Sequence, residues 1–577
     1  MDKHAAALII EEIGTLMELQ GENPFRARAF YNAARALEQV EGEFDALVAE
    51  GKLEQVRGFG PATIAVAREL AETGASSVHH ELRSRTPDGL FDLLRIPGLG
   101  AKRVHLLHTQ LGVESLDDLE RAAEEDRIAS LPGFGQRTQA KLLEGIAYLR
   151  SQMGRSRQPE AWAIAAALTE FLSARAGVVR VEIAGELRRR LETVRGVDVV
   201  AVVSEQAAPV ITAFLEIPGA RGGERVGASG ARVRLGDGIE ARLTCVPPDA
   251  FAAALLYATG SDAHVAAVVA RAEAQGYRLN EFGLWRGEER VPVSDEATLY
   301  RVLGLDYIEP ELREAGFEVA LAAEGGLPTL VALTDLRGCF HCHTSYSDGR
   351  ASLTEMAMAA KARGWRYLGI ADHSRAAAYA GGLSVEQIER QHAEIDAWNA
   401  EHGHELWLFK GMETDILPDG RLDYADEEDV LGRFDYVVGS VHSSFSLSEA
   451  EMTQRIIRAM EDPHLTLLGH PTGRLLLGRE GYPIDMDAVI DAAADAGVGI
   501  EINANPNRLD MDWRHWRRAK ERGILTAINP DAHSTQGLGD VEYGIGVARK
   551  GWLTAADVIN TWPLDEVRRH FAEGRRR

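Results

Sequence analysis

The sequence predicts a multidomain chain, α+β in its first part and α/β in its last, with small helical domains, then a mixed sheet, then a parallel strand–helix barrel. Three observations predict it. With 577 residues the chain exceeds what one ordinary core organises. A glycine-rich segment recurs three times before residue 150. Beyond residue 336, short apolar runs that end in metal-competent side chains alternate with helical segments. Composition agrees with a globular chain, at 45% hydrophobic and 26% charged. The net charge of −25 argues against a uniformly basic surface that wraps nucleic acid, while leaving local contacts by amides and a few arginines open. Three cysteines exclude a disulfide framework and suit a reducing compartment. With no long apolar span and no signal-peptide pattern at the N-terminus, a cytoplasmic protein without a membrane partner is expected.

The helical part comes first. "VRGFGPATIAVAREL", "IPGLGAKRVHLLHTQLG" and "LPGFGQRTQAKLLEGI" each place an apolar residue before Gly-x-Gly and an amphipathic run after it. Glycine permits the tight turn, and the unobstructed amides at the following helix start can hold a phosphate. These segments resemble helix-hairpin-helix elements, which grip a nucleic-acid backbone without reading sequence. The expected DNA contacts are Gly58, Gly60, Gly98, Gly100, Gly133 and Gly135, with the basic residues Lys102 and Arg103 after the second turn and Arg137 and Lys141 after the third. "GENPFRARAFYNAARALEQV" upstream resembles the N-terminal domain of family X DNA polymerases. In that family the first hairpin helix can carry a Schiff-base lysine for lyase chemistry; the matching position is Val66, which has no amine.

The mixed sheet follows. "VVRVEIAGELRRRLETVRGVDVVAVV" gives two strand-like runs around a charged connection, the second with Asp198 among valines, and "RVRLGDGIEARLTCV" reads as a hairpin turning at Asp237–Gly238. With "LLYATGSDAH" and "RLNEFGL", these stretches resemble the family X polymerase core. In the family, two aspartates one residue apart and a third on a neighbouring strand hold two magnesium ions. The matching positions here are Gly196, Asp198 and Glu240; a serine that contacts the triphosphate becomes Glu186, and an aromatic before Thr259 becomes Ala258. The resemblance leaves a residual polymerase site of Asp198, Glu240, Arg188 and Arg189, able to take Mg²⁺ but impaired in nucleotide binding and synthesis. The alternative is that Glu186 or Glu192 replaces the missing acid and the chain is an active gap-filling polymerase. "PELREAGFEVALAAEGGLPTLVALTDLRG", with its Gly-Gly and Pro, reads as a linker.

In the barrel part, "RGCFHCHTSYSDG" makes three offers: a C-x-x-C-H haem attachment, a thiol pair for redox or zinc, and a hard-metal site from His341, His343 and Asp348. The rest of the chain decides. "YLGIADH" ends in Asp372 and His373, "LWLFKGME" in Glu413, "YVVGSVH" in His442, "LTLLGH" in His470, "VGIEIN" in Glu501 and Asn503, and "ILTAINPDAH" in Asp531 and His533. Parallel barrels gather such strand ends at one mouth. His, Asp and Glu without cysteine suit Zn²⁺ or Mn²⁺, and the number of donors implies more than one ion. On an extended strand, alternation puts His341 and His343 on one side and Cys342 on the other.

This set resembles the polymerase and histidinol phosphatase (PHP) domain that bacterial family X polymerases carry. The resemblance implies up to three ions: one on His341, His343, Glu413 and Asp531, a second sharing Glu413 with His442 and His470, and a third on Asp348, His373 and His533. It implies metal-dependent phosphoester hydrolysis, in the family a 3′→5′ exonuclease acting on gapped, primer-template or other 3′ ends of DNA, with Glu413, His341 and Asp531 central. Arg474 is expected as a catalytic phosphate clamp, with Arg508 as another, and Asp372 and Glu501 as groups that orient imidazoles. "DWRHWRR" offers either a stacked base or a packed helix. The whole fold implied is helix-hairpin-helix domains at 1–80 and 81–150, a polymerase-beta-like palm and thumb at 151–310, a linker at 311–335, and a PHP barrel of (β/α)7 type at 336–577, in a monomer. The alternatives are a working polymerase with proofreading, and a small-molecule phosphatase.

Overall fold

The computed structural model describes residues 1–574 apart from 41, 97, 237, 428 and 429. It divides into two compact units, Met1–Met153 and the chain from Gly154 onward.

In the first unit, helices Pro61–Thr73, Ala101–Leu111 and Gln136–Gln152 each start directly after a Gly-x-Gly. Gly58, Gly98 and Gly133 hold φ of +118°, +84° and +81°, a region that a Cβ penalises. Gly60, Gly100 and Gly135 are the extended caps that follow. One core runs from Ala6 to Leu82; a second gathers Leu90 to Leu149 and takes Leu19 from the first helix.

The second unit opens with a five-stranded sheet. Its strands are β1 (Val178–Ala184), β2 (Gly196–Val203), β3 (Arg221–Val226), β4 (Gly230–Leu235) and β5 (Ile239–Val246), in the order β1-β2-β5-β4-β3. Only β2 and β5 run parallel, with Gly196 opposite Glu240 and Asp198 opposite Arg242. The expected hairpin joins β4 to β5 through Leu235 and Ile239, and its Asp237 lies outside the described residues. Helices Phe251–Thr259, Asp262–Ala274 and Glu296–Val302 then build a separate apolar core.

The segment expected as a linker is not one. Leu312, Val319, Ala322 and Leu330 are buried in that same core, and Arg313 is fully buried against Glu296 at 2.5 Å. The glycine and proline punctuation marks turns here, while the apolar residues between them pack.

The barrel has six parallel strands in chain order: β6 (Tyr367–Ile370), β7 (Trp407–Asp415), β8 (Tyr436–Ser440), β9 (Leu467–Leu468), β10 (Gly499–Asn503) and β11 (Thr526–Asn529). Residues 338–343 close the curl as an irregular seventh stave. Gly369 N and Ala371 N of the β6 edge donate to Cys339 O and Cys342 O, and on the other side His343 N donates to Ala532 O and Phe340 N to Asn529 Oδ1. The N-terminal strand ends enclose aromatic rings, and the C-terminal helix Leu564–Gly574 plugs them with Phe571, centred 5.2 Å from Phe340 and 5.1 Å from Tyr436. With that end filled, the functional side chains are left to the other.

Candidate metal centre

The stave 338–343 departs from strict alternation. Cys339 and Cys342 touch, Sγ to Sγ at 3.4 Å, in the outer core, while Phe340 points into the barrel. Both thiols are fully buried in that apolar core, and among the described residues neither belongs to a group that could hold a metal ion. The kink still delivers both histidines inward, as their spacing suggests.

Nine donors meet there, from the stave 338–343 and the loop after it and from the ends of β6, β7, β8, β9 and β11. His341 Nε2 lies 3.4 Å from Glu413 Oε2 and 3.7 Å from Asp531 Oδ1, and His343 Nε2 lies 3.7 and 3.1 Å from the same oxygens. Glu413 turns its other oxygen to His442 Nε2 at 3.3 Å and His470 Nε2 at 3.0 Å. Asp348 Oδ1 stands 3.6 Å from His373 Nε2 and 3.4 Å from His533 Nε2. Beyond the grouping expected from sequence, His343 Nδ1 also faces Asp348 at 3.8 Å, and His373 Nδ1 faces Glu413 at 2.9 Å. Asp531 and His470 are held at φ of +52° and +21°, strain of the kind that collects at functional sites.

These contacts are close without being satisfied. His341 Nε2, His343 Nδ1, His373 Nδ1, His470 Nδ1 and Glu413 Oε2 are all buried with no hydrogen-bond partner. Buried polar atoms are normally paired, and all of these but His470 Nδ1 face other donors across one small space, an arrangement that fits divalent cations. The electrostatics agree. Burial alone would raise the Glu413 and Asp531 carboxyls, yet the surrounding imidazoles, His341 foremost, hold both well below the usual range. Burial opposes charge on His442, but Glu413 and Asp415 outweigh it and push the ring up to about 10. His343, buried and facing His533 and His373, falls to about 3. The cavity asks for positive charge at its carboxylates.

Supporting groups fix the rings. Glu501 Oε1 takes His341 Nδ1 at 2.7 Å, as expected, and its Oε2 accepts from the His470 amide. Asp372 does something else: it accepts from Thr344 N and Oγ1, Ser347 Oγ and Gln391 Nε2, and so pins the loop that carries Asp348. Asp415, which the sequence reading missed, takes His442 Nδ1 at 2.5 Å. Its signal was available, since it stands two residues after Glu413 on the same face of β7.

Family models match the pieces of this fold: a helix-hairpin-helix domain at 1–76, a SAM-like helix-hairpin-helix tandem at 90–147, the DNA polymerase beta thumb at 254–314, and the PHP domain at 340–505. The DNA polymerase/3′-5′ exonuclease PolX of Bacillus subtilis (strain 168) is 36% identical over 98% of this chain and 99% of its own length. The chain belongs to the PolX family. A probable phosphatase of Thermoanaerobacter sp. (strain X514) is 29% identical over 41% of the chain and 95% of its own length. A probable phosphatase of Caldanaerobacter subterraneus subsp. tengcongensis is 30% identical over 30% of the chain and 67% of its own length. Among the described residues no helix is long and apolar enough to cross a membrane.

The palm of this PolX chain is arranged differently from its barrel. Asp198, Glu240 and Arg242 share one face of β2 and β5, and the Arg242 Nε sits 3.4 Å from Asp198 and 3.0 Å from Glu240. A guanidinium thus stands between the two remaining carboxylates. Gly196 lies against the Glu240 carbonyl, and Glu186 is tied to the Arg195 amide at 2.8 Å. Glu192 is turned away, towards Arg474 and Arg514. Arg188 pairs with Glu296 at 2.6 Å and Arg189 with Glu314 at 3.0 Å, so neither is a free phosphate contact.

One further expectation is corrected. Arg474 does not reach over the metal centre: its guanidinium donates to Arg508 O and Leu509 O, binds Asp512 at 2.9 Å and meets Glu192 at 3.4 Å. All three of its nitrogens are engaged, Nε and Nη1 with the 508–512 loop and Nη2 with both that loop and Glu192 of the palm. Arg508 is the arginine that approaches the centre, 3.6 Å from Asp531 Oδ2. In "DWRHWRR", Trp516 is fully buried and Trp513 lies under Lys550, so the helix packs and offers no ring for a base. In the first unit Lys102 is exposed, 3.8 Å from Glu18, and Val66 is buried.

Proposed function

We propose that this PolX protein hydrolyses DNA phosphodiesters from 3′ ends at its barrel centre, and that its palm is impaired in synthesis and serves to hold the DNA end. The contrast between the two sites carries the reading: four unpartnered donor atoms face one another in the barrel, whereas in the palm an internal arginine fills the gap between two carboxylates. The donor set suits Mn²⁺ or Zn²⁺, up to three ions, on His341, His343, Glu413 and Asp531, on Glu413, His442 and His470, and on Asp348, His373 and His533. Mg²⁺ at Asp198 and Glu240 must first displace Arg242. Bound ions supply Lewis-acid activation of water and neutralise charge on a phosphoryl group.

The chain's own part is positioning. Glu501 and Asp415 hold His341 and His442 with Nε2 inward, Asp372 fixes the loop of Asp348, and Arg508 stands ready for a phosphate oxygen beside Asp531. The hairpin turns at Gly58, Gly60, Gly98, Gly100, Gly133 and Gly135, with Lys102, supply backbone contacts to DNA. The partners proposed are gapped, primer-template or 3′-ended DNA, bound by a cytoplasmic monomer.

A labelled primer-template with Mn²⁺, with and without dNTPs, tests this. Wild type is expected to shorten the primer; His341→Ala is expected to lose at least three powers of ten in rate, an order of magnitude consistent with loss of a metal ligand at a catalytic ion. Asp198→Ala should leave shortening intact. Templated extension by wild type that Asp198→Ala abolishes would establish a working polymerase instead.

A second reading has an observation of its own. The chain matches probable phosphatases over nearly their whole length in one case, which favours phosphomonoester hydrolysis. Rapid turnover of histidinol phosphate with no cleavage of a 3′-recessed primer would decide for it.

A further inference from the structure

One large ring stands at the mouth of the metal centre. Tyr379, on the short turn Ala378–Ala380, is 73% exposed, more than any other large hydrophobic side chain described in the second unit. Its ring centre is 6.3 Å from that of His373 and 6.3 Å from that of His442, inclined by 57° and 73°. Neither imidazole lies parallel to it, and its exposure leaves room for a ligand against the ring. Those two imidazoles belong to the metal donors, so the ring stands at the edge of the centre, where Asp415, Glu413, Asp348 and Arg508 all act on its hydroxyl electrostatically.

These neighbours match the parts of a terminal nucleotide: the donors and Arg508 suit its phosphodiester, and an uncommitted aromatic face suits its base. Stacking on an aromatic side chain tolerates any base and contributes about 1–3 kcal/mol per base. That suits a centre whose chain otherwise contacts DNA without reading sequence.

We propose that Tyr379 is a specificity-determining platform on which the base of the 3′-terminal nucleotide stacks while its phosphodiester lies on the metal centre. This rests on the exonuclease reading and adds the recognition element that separates a nucleotide end from a small phosphomonoester. It concerns binding of the base and assigns the ring no part in the bond cleavage.

Two measurements on the full-length protein test it. In EDTA, where no cleavage occurs, a single-stranded primer end carrying 2-aminopurine at its 3′ terminus should be quenched on binding wild type and Tyr379→Phe, but not Tyr379→Ala. With Mn²⁺, the ratio of kcat/KM on a normal 3′ end to that on an end whose last residue lacks a base should fall roughly tenfold or more in Tyr379→Ala and persist in Tyr379→Phe, in line with the loss of one stacked base. Equal quenching by wild type and Tyr379→Ala, or an unchanged ratio, overturns the platform. Quenching that depends on Tyr379 in a protein that cuts neither end would leave the platform standing and overturn the exonuclease reading alone.

Discussion

Gly196 shows how much a single residue decides in the palm. A Cβ built there would lie 2.6 Å from the Glu240 carbonyl oxygen and 3.4 Å from Arg242 Nη2. A side chain at this position meets backbone, so an aspartate fits only if the strands shift. Gly196→Asp is expected to give no templated dNTP addition and to lower stability by about 1–3 kcal/mol, the usual range for overpacking. A primer-extension assay and a thermal melt check both halves, and synthesis by Gly196→Asp would show that the missing carboxylate was the whole defect. In the barrel the sensitive residue is Glu501, which holds His341 and His470 without being among the nine donors. Glu501→Gln should weaken Mn²⁺ binding by roughly 10- to 100-fold while leaving DNA binding in EDTA unchanged, as loss of an outer partner typically does. Isothermal titration with the metal alone reads this directly.

At the scale of elements, the sequence showed the donors more clearly than the scaffold. The strands of the barrel were legible because each ends in its functional residue, and the hairpin helices because glycine marks their starts. The stave 338–343 was not, since its irregular pleat is set by hydrogen bonds to β6 and β11 from far along the chain. The 311–335 segment was misjudged for the same reason: burial of Arg313 depends on Glu296, seventeen residues away, and no local pattern announces it. That pair has a pH consequence. Burial raises Glu296, but Arg313 first and Arg188 with it hold the carboxyl down at about 2, from an ordinary 4.5. A folded-state pKa below the unfolded one contributes stability above the unfolded value and loses it as pH falls through the folded one. The core around Glu296 should therefore weaken between pH 4.5 and about 2, and Glu296→Gln should be less stable at neutral pH with a shallower acid dependence in denaturant melts. The C-terminal helix makes a simpler claim: Phe571→Ala, opening a hole beneath Phe340, Phe409 and Tyr436, should cost about 3–5 kcal/mol.

Across the second unit, palm and barrel are joined by charges that neither holds alone. Lys550 of the barrel is buried at 1% exposure, with Nζ 2.5 Å from Glu314 and 3.1 Å from the Arg189 carbonyl oxygen. Its neighbour Arg549 binds Glu311 at 2.7 Å, Arg190 reaches Glu542 at 3.4 Å, and Glu192 meets Arg474. Trp513 touches both hydrophobic cores. A buried cation that loses its partner is strongly destabilising, by about 3–5 kcal/mol, whereas replacing it with an apolar chain of similar volume is often neutral. Glu314→Ala should therefore destabilise the full-length protein by about that amount, and adding Lys550→Met should recover most of it. The two domains should also feel the loss together. In Glu314→Ala, hydrogen exchange is expected to rise both around residues 186–194 of the palm and in the barrel helix Val541–Lys550, because one cooperative unit opens from either side of the joint. Faster exchange confined to one side would mean that palm and barrel fold as independent bodies, and that the palm has no mechanical hold on the loop that brings Arg508 to the metal centre.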